Sequence, residues 1–142
     1  MNHWATAFIG LPHVRGATGP DAYDCWGFVR HIQLQQYGRN LPDVSHLGPD
    51  TKSAAATISN HDERDNWVEV DQPEDGDLVL MARNQIPVHI GIWIHANGTG
   101  GVLHSLERVG VMFSNGSNLK NQGWGRVRYF RSKVKKCVTV RS

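Results

Sequence analysis

The sequence predicts an α+β fold in which N-terminal helices pack on one side of an antiparallel sheet of five or six strands. Three observations predict it. Helical spacing of apolar residues holds as far as Tyr37, period-two alternation takes over from Trp67, and Asn-Gly pairs at 97–98 and 115–116 supply turn chemistry between the later runs.

The elements follow in order. Trp4, Phe8 and Leu11 recur at helical spacing before Pro12, which predicts a short first helix. A Gly/Pro-rich loop, residues 14–23, comes next. From Cys25 to Tyr37 the residues Cys25, Phe28, Val29 and Ile32 form one apolar stripe, with Asp24 as an N-cap type and Gly38 as a C-terminal stop. Residues 39–65 are polar, with Leu-Pro-Asp and Leu-Gly-Pro turns and a short helix expected over Ser53–Ile58. Strands are then expected at Trp67–Val70, Gly76–Met81, Val88–His95, Gly101–Ser105, Val109–Phe113 and Val127–Phe130, joined as a meander. The Gly76-Asp77 turn starts the sheet. Asn97 and Asn115 also fit glycosylation sequons, but the turn reading prevails without a secretory signal.

Bulk composition bounds the function. The 142 residues, 39% of them hydrophobic, fit one domain over 1–142 with a modest core. No run of about 18 apolar residues is present, and the N-terminus lacks the pattern of a secretory signal. Synthesis in the cytoplasm, with no membrane insertion, is the expectation. Net charge is +2, yet residues 126–142 carry seven cations (Arg126, Arg128, Arg131, Lys133, Lys135, Lys136, Arg141) and no acid. Without a reading motif such a tail is mostly a solvated face, so no nucleic-acid partner is expected. Cys25 and Cys137 cannot make a disulfide framework, and neither stands in a CxxC pair. Cys137 reads as a structural or exposed thiol.

Cys25 falls in the first helical turn, where unpaired N–H groups and the helix dipole favour a thiolate. The alternative is a small core hydrophobe on the stripe it shares with Val29 and Ile32. Histidines bear on the choice. In residues 88–94 the branched Val88, Ile90, Ile92 and Ile94 take one strand face, which puts His89, Gly91 and Trp93 on the other. Gly91 leaves room beside His89 for a helix N-terminus or a substrate, on a face that a catalytic thiol could share. His104 lies on the next short strand and could orient His89, as triad logic requires. Zinc binding by His89, His95 and His104 lacks a motif such as HExxH, so no metal and no cofactor is expected. Trp26 and Trp93 read first as core aromatics beside the helix, and as cleft-lining residues second.

Four ordered blocks carry a resemblance. Asp24-Cys25-Trp26-Gly27-Phe28-Val29, Pro73-Glu74-Asp75-Gly76-Asp77-Leu78-Val79, His89-Ile90-Gly91-Ile92-Trp93-Ile94 and Val102-Leu103-His104-Ser105 resemble the NlpC family of papain-like cell-wall cysteine peptidases, over roughly residues 5–131. The resemblance implies a papain-like NlpC fold with the catalytic Cys at a helix N-terminus. It implies Cys25 as nucleophile, His89 as general base, His104 as the residue that orients it, and N–H groups at the helix start, that of Cys25 among them, as part of an oxyanion hole. The implied substrates are peptidoglycan stem peptides, commonly cut between D-glutamate and a diamino acid. One departure lies in the lead-in segment, where His13 stands for a frequent tyrosine, Arg15 for an aromatic and Ala17 for a second glycine. His13, Asp24, Trp26 and Trp93 are the candidate substrate-binding positions, with Asp24 expected to stay a structural cap. The compact form is most similar to versions carried by bacteriophage tails, which would make other tail proteins partners and the virion a route to the wall. A structural tail-tip subunit without catalysis and a peptidoglycan-cleaving interbacterial toxin are the competing readings.

Overall fold

The computed structural model describes residues 3–14, 17, 19–40, 67–83, 86–96, 98–106, 108–124 and 126–133. Outside these lie the turns at 41–43 and 47–49, the helix expected over Ser53–Ile58, Arg15, Asn97, and the end of the basic tail with Cys137. A single turn of 3-10 helix, Trp4–Ala7, stands where the first helix was expected. Four residues are too few for the Trp4/Phe8 spacing to build an α-helix before Pro12 ends the run.

Helix α1, Cys25–Tyr37, has the predicted bounds. The Asp24 carboxylate accepts from the Gly27 N–H at 2.6 Å, and Gly38 closes the helix at φ 70°. A left-handed closing residue is what glycine supplies without strain. Its buried stripe, Phe28, Val29 and Ile32, is fully shielded from solvent. Each such side chain contributes about 1.5–3 kcal/mol of hydrophobic stabilisation.

Six strands follow: β1 Trp67–Val70, β2 Leu78–Arg83, β3 Ile86–Ala96, β4 Thr99–Leu106, β5 Gly110–Ser114 and β6 Arg126–Ser132. They form one antiparallel sheet in the order β1-β6-β2-β3-β4-β5. The expected meander therefore holds for β2 to β5 only, because β6 inserts between β1 and β2. Two charge pairs accompany that insertion. Arg128 on β6 makes a two-pronged pair with Glu69 on β1, and Arg131 makes another with Asp77, just before β2.

Both faces of the sheet are covered, which corrects the one-sided packing expected. On the first face α1 packs against Leu78, Leu80, Ile90, Ile92, Ile94 and Leu103. On the second face Val79, Met81 and Val102 pack with Leu119 and Trp124. Leu119 belongs to a second helix, α2, Gly116–Asn121, placed where a hairpin turn was expected at Asn115-Gly116. Asn115 caps this helix instead of turning the chain: its carboxamide oxygen accepts from Asn118 N–H at 3.0 Å, and Asn118 returns the bond to Asn115 N–H at 3.1 Å. This reciprocal box satisfies two donors that a helix start leaves open.

Candidate active site

The segment leading into α1 is laced to the sheet before it delivers Cys25. Gly10 N–H donates to the Val111 carbonyl and Val111 N–H donates to the Leu11 carbonyl, both at 2.9 Å. His13 forms a parallel bridge with Tyr23, and the Ser105 hydroxyl donates to the Tyr23 carbonyl at 2.8 Å. Cys25 thus follows a stretch pinned to both β5 and β4.

The Cys25 thiol is 3% exposed. The backbone N–H groups of Ile90, Trp26 and Cys25 itself lie near enough to favour its thiolate. Ile90 directly follows His89, so α1 delivers the sulfur to β3 beside the histidine. The β3/β4 ladder ends at Ile92 opposite Leu103, one residue short of His104, so the Ile90 N–H lies beyond its last rung. Cys25 packs with α1 in the core on the isoleucine face, and the Ile90 N–H reaches toward its sulfur where the β3/β4 pairing stops. The space beside Gly91 is taken, since a Cβ there would meet Val102 at 2.6 Å and the His104 Cβ at 2.9 Å. Gly91 makes room for His104, not for the helix or a substrate.

Burial pushes the Cys25 thiol up to about 12, and the neighbouring Asp24 carboxylate pushes the same way. The three N–H groups oppose this without prevailing. The expected thiolate is therefore not the resting form: removing the sulfur from water outweighs the helix start.

His89 and His104 meet on the second face. Their rings approach through His89 Nε2 and His104 Nδ1 at 2.8 Å, and both side chains are buried. The β2/β3 register slips between Met81 and Ala82, with Met81 opposite His89 and Ala82 opposite Pro87. Such irregularities re-aim adjoining side chains. His104 Nε2 lies 2.9 Å from the Ser114 hydroxyl on β5, and the Gln122 amide nitrogen reaches the same hydroxyl at 3.0 Å. Trp124 stacks on His89 with ring centroids 5.2 Å apart and planes 11° apart. Burial holds the His104 ring down at about 4, so it is neutral at physiological pH.

Sequence reading did not single out Ser114, Gln122, Trp124, Tyr23 or Ser105. The Asn115-x-x-Asn118 capping box is the signal that would have revealed α2 and, past its end, Gln122 and Trp124. Of the other candidates, Trp26 is buried in the core under α1, and Asp24 caps the helix. Trp93 is half-buried on the second face against Tyr129, not beside the helix. His95 lies six residues beyond His89, about 20 Å along an extended strand, too far to join a three-histidine site. Among the described residues, no group of three or more His, Cys, Asp or Glu is placed to hold a metal ion.

A buried thiol at a helix start, set against two neighbouring strands whose histidines are hydrogen-bonded to each other, is an arrangement that suits a cysteine peptidase. The NlpC/P60 family model matches residues 10–131, and the chain belongs to this family. It is 31% identical over 101 residues to Protein P54 of Enterococcus faecium, covering 71% of this chain and 16% of that protein. It is 27% identical over 122 residues to the Probable endopeptidase p60 of Listeria grayi, covering 86% of this chain and 20% of that one. The chain thus spans a fifth or less of the length of these relatives. The crystal structure of the NlpC/p60 domain of the peptidoglycan hydrolase SagA shares the fold, with a TM-score of 0.54 at 23% identity over 87% of this chain and 90% of that chain.

Proposed function

We propose that this chain hydrolyses peptide bonds in peptidoglycan stem peptides, with Cys25 as nucleophile, His89 as general base and His104 holding the base in place. One observation carries the reading: His89 Nε2 is bonded to His104 at 2.8 Å, while the backbone N–H of the next residue, Ile90, favours the thiolate of buried Cys25. With Nε2 engaged, Nδ1 is the nitrogen that serves the thiol.

The raised thiol makes the base necessary. His89 Nδ1 takes the Cys25 proton as the sulfur attacks the scissile carbonyl, and the tetrahedral oxyanion forms near the N–H groups of the helix start. Collapse breaks the C–N bond, and the leaving amine takes the proton from the His89 imidazolium. Water, deprotonated by His89, then attacks the thioester and releases the acid, and the proton returns to sulfur. Neutral His104 accepts from the Nε2–H of His89 throughout, which favours the imidazolium without adding a charge.

Family membership supports peptidoglycan as the substrate, in line with the relatives called an endopeptidase and a peptidoglycan hydrolase. The bond between D-glutamate and a diamino acid, action as one domain over 1–142, and carriage by a phage tail are parts of this proposal that rest on the sequence resemblance. The test is digestion of purified peptidoglycan by the protein and by Cys25→Ala, with released muropeptides identified by mass spectrometry. New stem-peptide fragments that vanish with Cys25→Ala establish the activity and name the bond. No cleavage by the folded protein turns the reading toward a structural tail subunit.

A further inference from the structure

We propose that Ser114, Gln122 and Trp124 are positioning residues that set the direction of the protons in the His89–His104 pair. The proposal rests on His89 acting as the base for Cys25. Five side chains close a loop. His89 Nε2 meets His104 Nδ1 at 2.8 Å, His104 Nε2 meets Ser114 Oγ at 2.9 Å, and Gln122 Nε2 donates to Ser114 Oγ at 3.0 Å. Trp124 Nε1 donates to Gln122 Oε1 at 3.2 Å, and the Trp124 ring returns to stack on His89.

The chemistry of the members orders the loop. An indole N–H can only donate, so the Gln122 oxygen must face Trp124 and its NH2 must face Ser114. The same NH2 points at the weak acceptor Met112 Sδ, 4.0 Å away. Ser114 Oγ, having accepted from Gln122, keeps one lone pair and its own hydrogen. When His89 takes a proton from the thiol, both of its nitrogens carry hydrogen. Nε2–H must then donate to His104 Nδ1, so the one hydrogen on neutral His104 must sit on Nε2, facing the Ser114 lone pair. The opposite order places N–H against N–H in a site where His104 is wholly buried, and an unmade bond there is costly. Ser114 Oγ offers His104 that acceptor when its own hydrogen is turned away from the ring; the Gln122 NH2 holds the oxygen in place by donating to it, and Trp124 fixes Gln122.

The test uses the full chain with 15N-labelled histidine, reading His104 at pH 7 from its ring 15N shifts and long-range couplings, together with kcat and KM on peptidoglycan. The wild type is expected to show His104 with hydrogen on Nε2. Ser114→Ala and the isosteric Gln122→Leu are expected to mix the tautomers and lower kcat about tenfold or more, with KM within about twofold. Gln122→Glu still accepts from Trp124 and can accept the Ser114 hydroxyl, leaving a lone pair for His104. It should keep the Nε2–H form and lie within about threefold of wild-type kcat. A wild-type His104 with hydrogen on Nδ1, or an unchanged tautomer in folded Ser114→Ala and Gln122→Leu, overturns the proposal. The spectrum needs no substrate, so it decides this point even if peptidoglycan proves not to be cleaved and the hydrolase reading falls.

Discussion

Gly91 on β3 lies under His104 on β4, so close that a Cβ on Gly91 would stand 2.9 Å from the His104 Cβ and 3.0 Å from the Leu103 carbonyl oxygen. The glycine is there for space, and the space lets the two histidines meet. Gly91→Ala should push His104 aside by a fraction of an ångström and cost about 1–3 kcal/mol of stability as local overpacking. Activity should fall more steeply, by about a hundredfold, because His89 loses its alignment when the His104 ring that holds it is displaced. Gly116→Ala is the control, since a Cβ there meets nothing within 4 Å. The two variants are compared by kcat/KM and urea unfolding, and equal activity in both would refute this role for Gly91.

His104 gives the fold a dependence on pH. Burial favours its neutral ring and lowers its proton affinity from the ordinary 6.5 to about 4, while the unfolded chain keeps the ordinary value. Below pH 6.5 the unfolded state therefore binds a proton that the native state refuses, and stability falls until about pH 4. Above 6.5 this group adds no slope. The gap between 6.5 and about 4 corresponds to about 3 kcal/mol. Urea unfolding at pH 7, 5 and 4 should show the wild type losing about that much more than His104→Asn, whatever the variant's absolute stability. Parallel curves would mean that the ring is hydrated in the native state.

Much of the site was legible because local chemistry specifies it. Asp24, the Phe28–Val29–Ile32 stripe and Gly38 fix α1 without reference to the rest of the chain, and the isoleucine alternation assigns the faces of β3. Properties that depend on distant packing were not legible. The position of β6 between β1 and β2 is decided by pairings such as Arg128 with Glu69 and Arg131 with Asp77, 59 and 54 residues apart. Asn-Gly at 115–116 serves equally as a turn and as a helix start, and only the return bond from Asn118 distinguishes them. Whether Cys25 is a thiol or a thiolate depends on its depth, which spacing does not encode.

Arg131 should matter to stability more than a surface cation does. The Asp77 side chain is only 3% exposed and takes Arg131 at 2.8 and 3.2 Å along with the Glu74 N–H at 2.7 Å. Arg131→Met leaves that carboxylate buried with one partner fewer. The expected loss is about 2 kcal/mol, below that of a wholly buried pair because the Arg131 side chain is 33% exposed. Adding Asp77→Asn should recover part of it, since the stranded charge is then gone. A double-mutant cycle in urea checks the coupling, and additive losses would show that the pair is not a unit.

Asp24 has two effects that one substitution can separate. Its carboxylate caps α1 through the Gly27 N–H, and its charge helps burial push the Cys25 thiol up to about 12. Asparagine caps about as well as aspartate, while alanine costs about 0.5–2 kcal/mol. Asp24→Asn should therefore hold its melting temperature and lower the thiol's affinity for its proton, whereas Asp24→Ala should lower both. At pH 8 a lower thiol pKa means more thiolate, so alkylation of Cys25 by iodoacetamide, followed on its own peptide to separate it from Cys137, should run several-fold faster in Asp24→Asn than in the wild type. The sign is the informative part. If the rate falls, the carboxylate orients the sulfur more than its charge opposes ionisation, and Asp24 would then belong with His89 in activating the nucleophile.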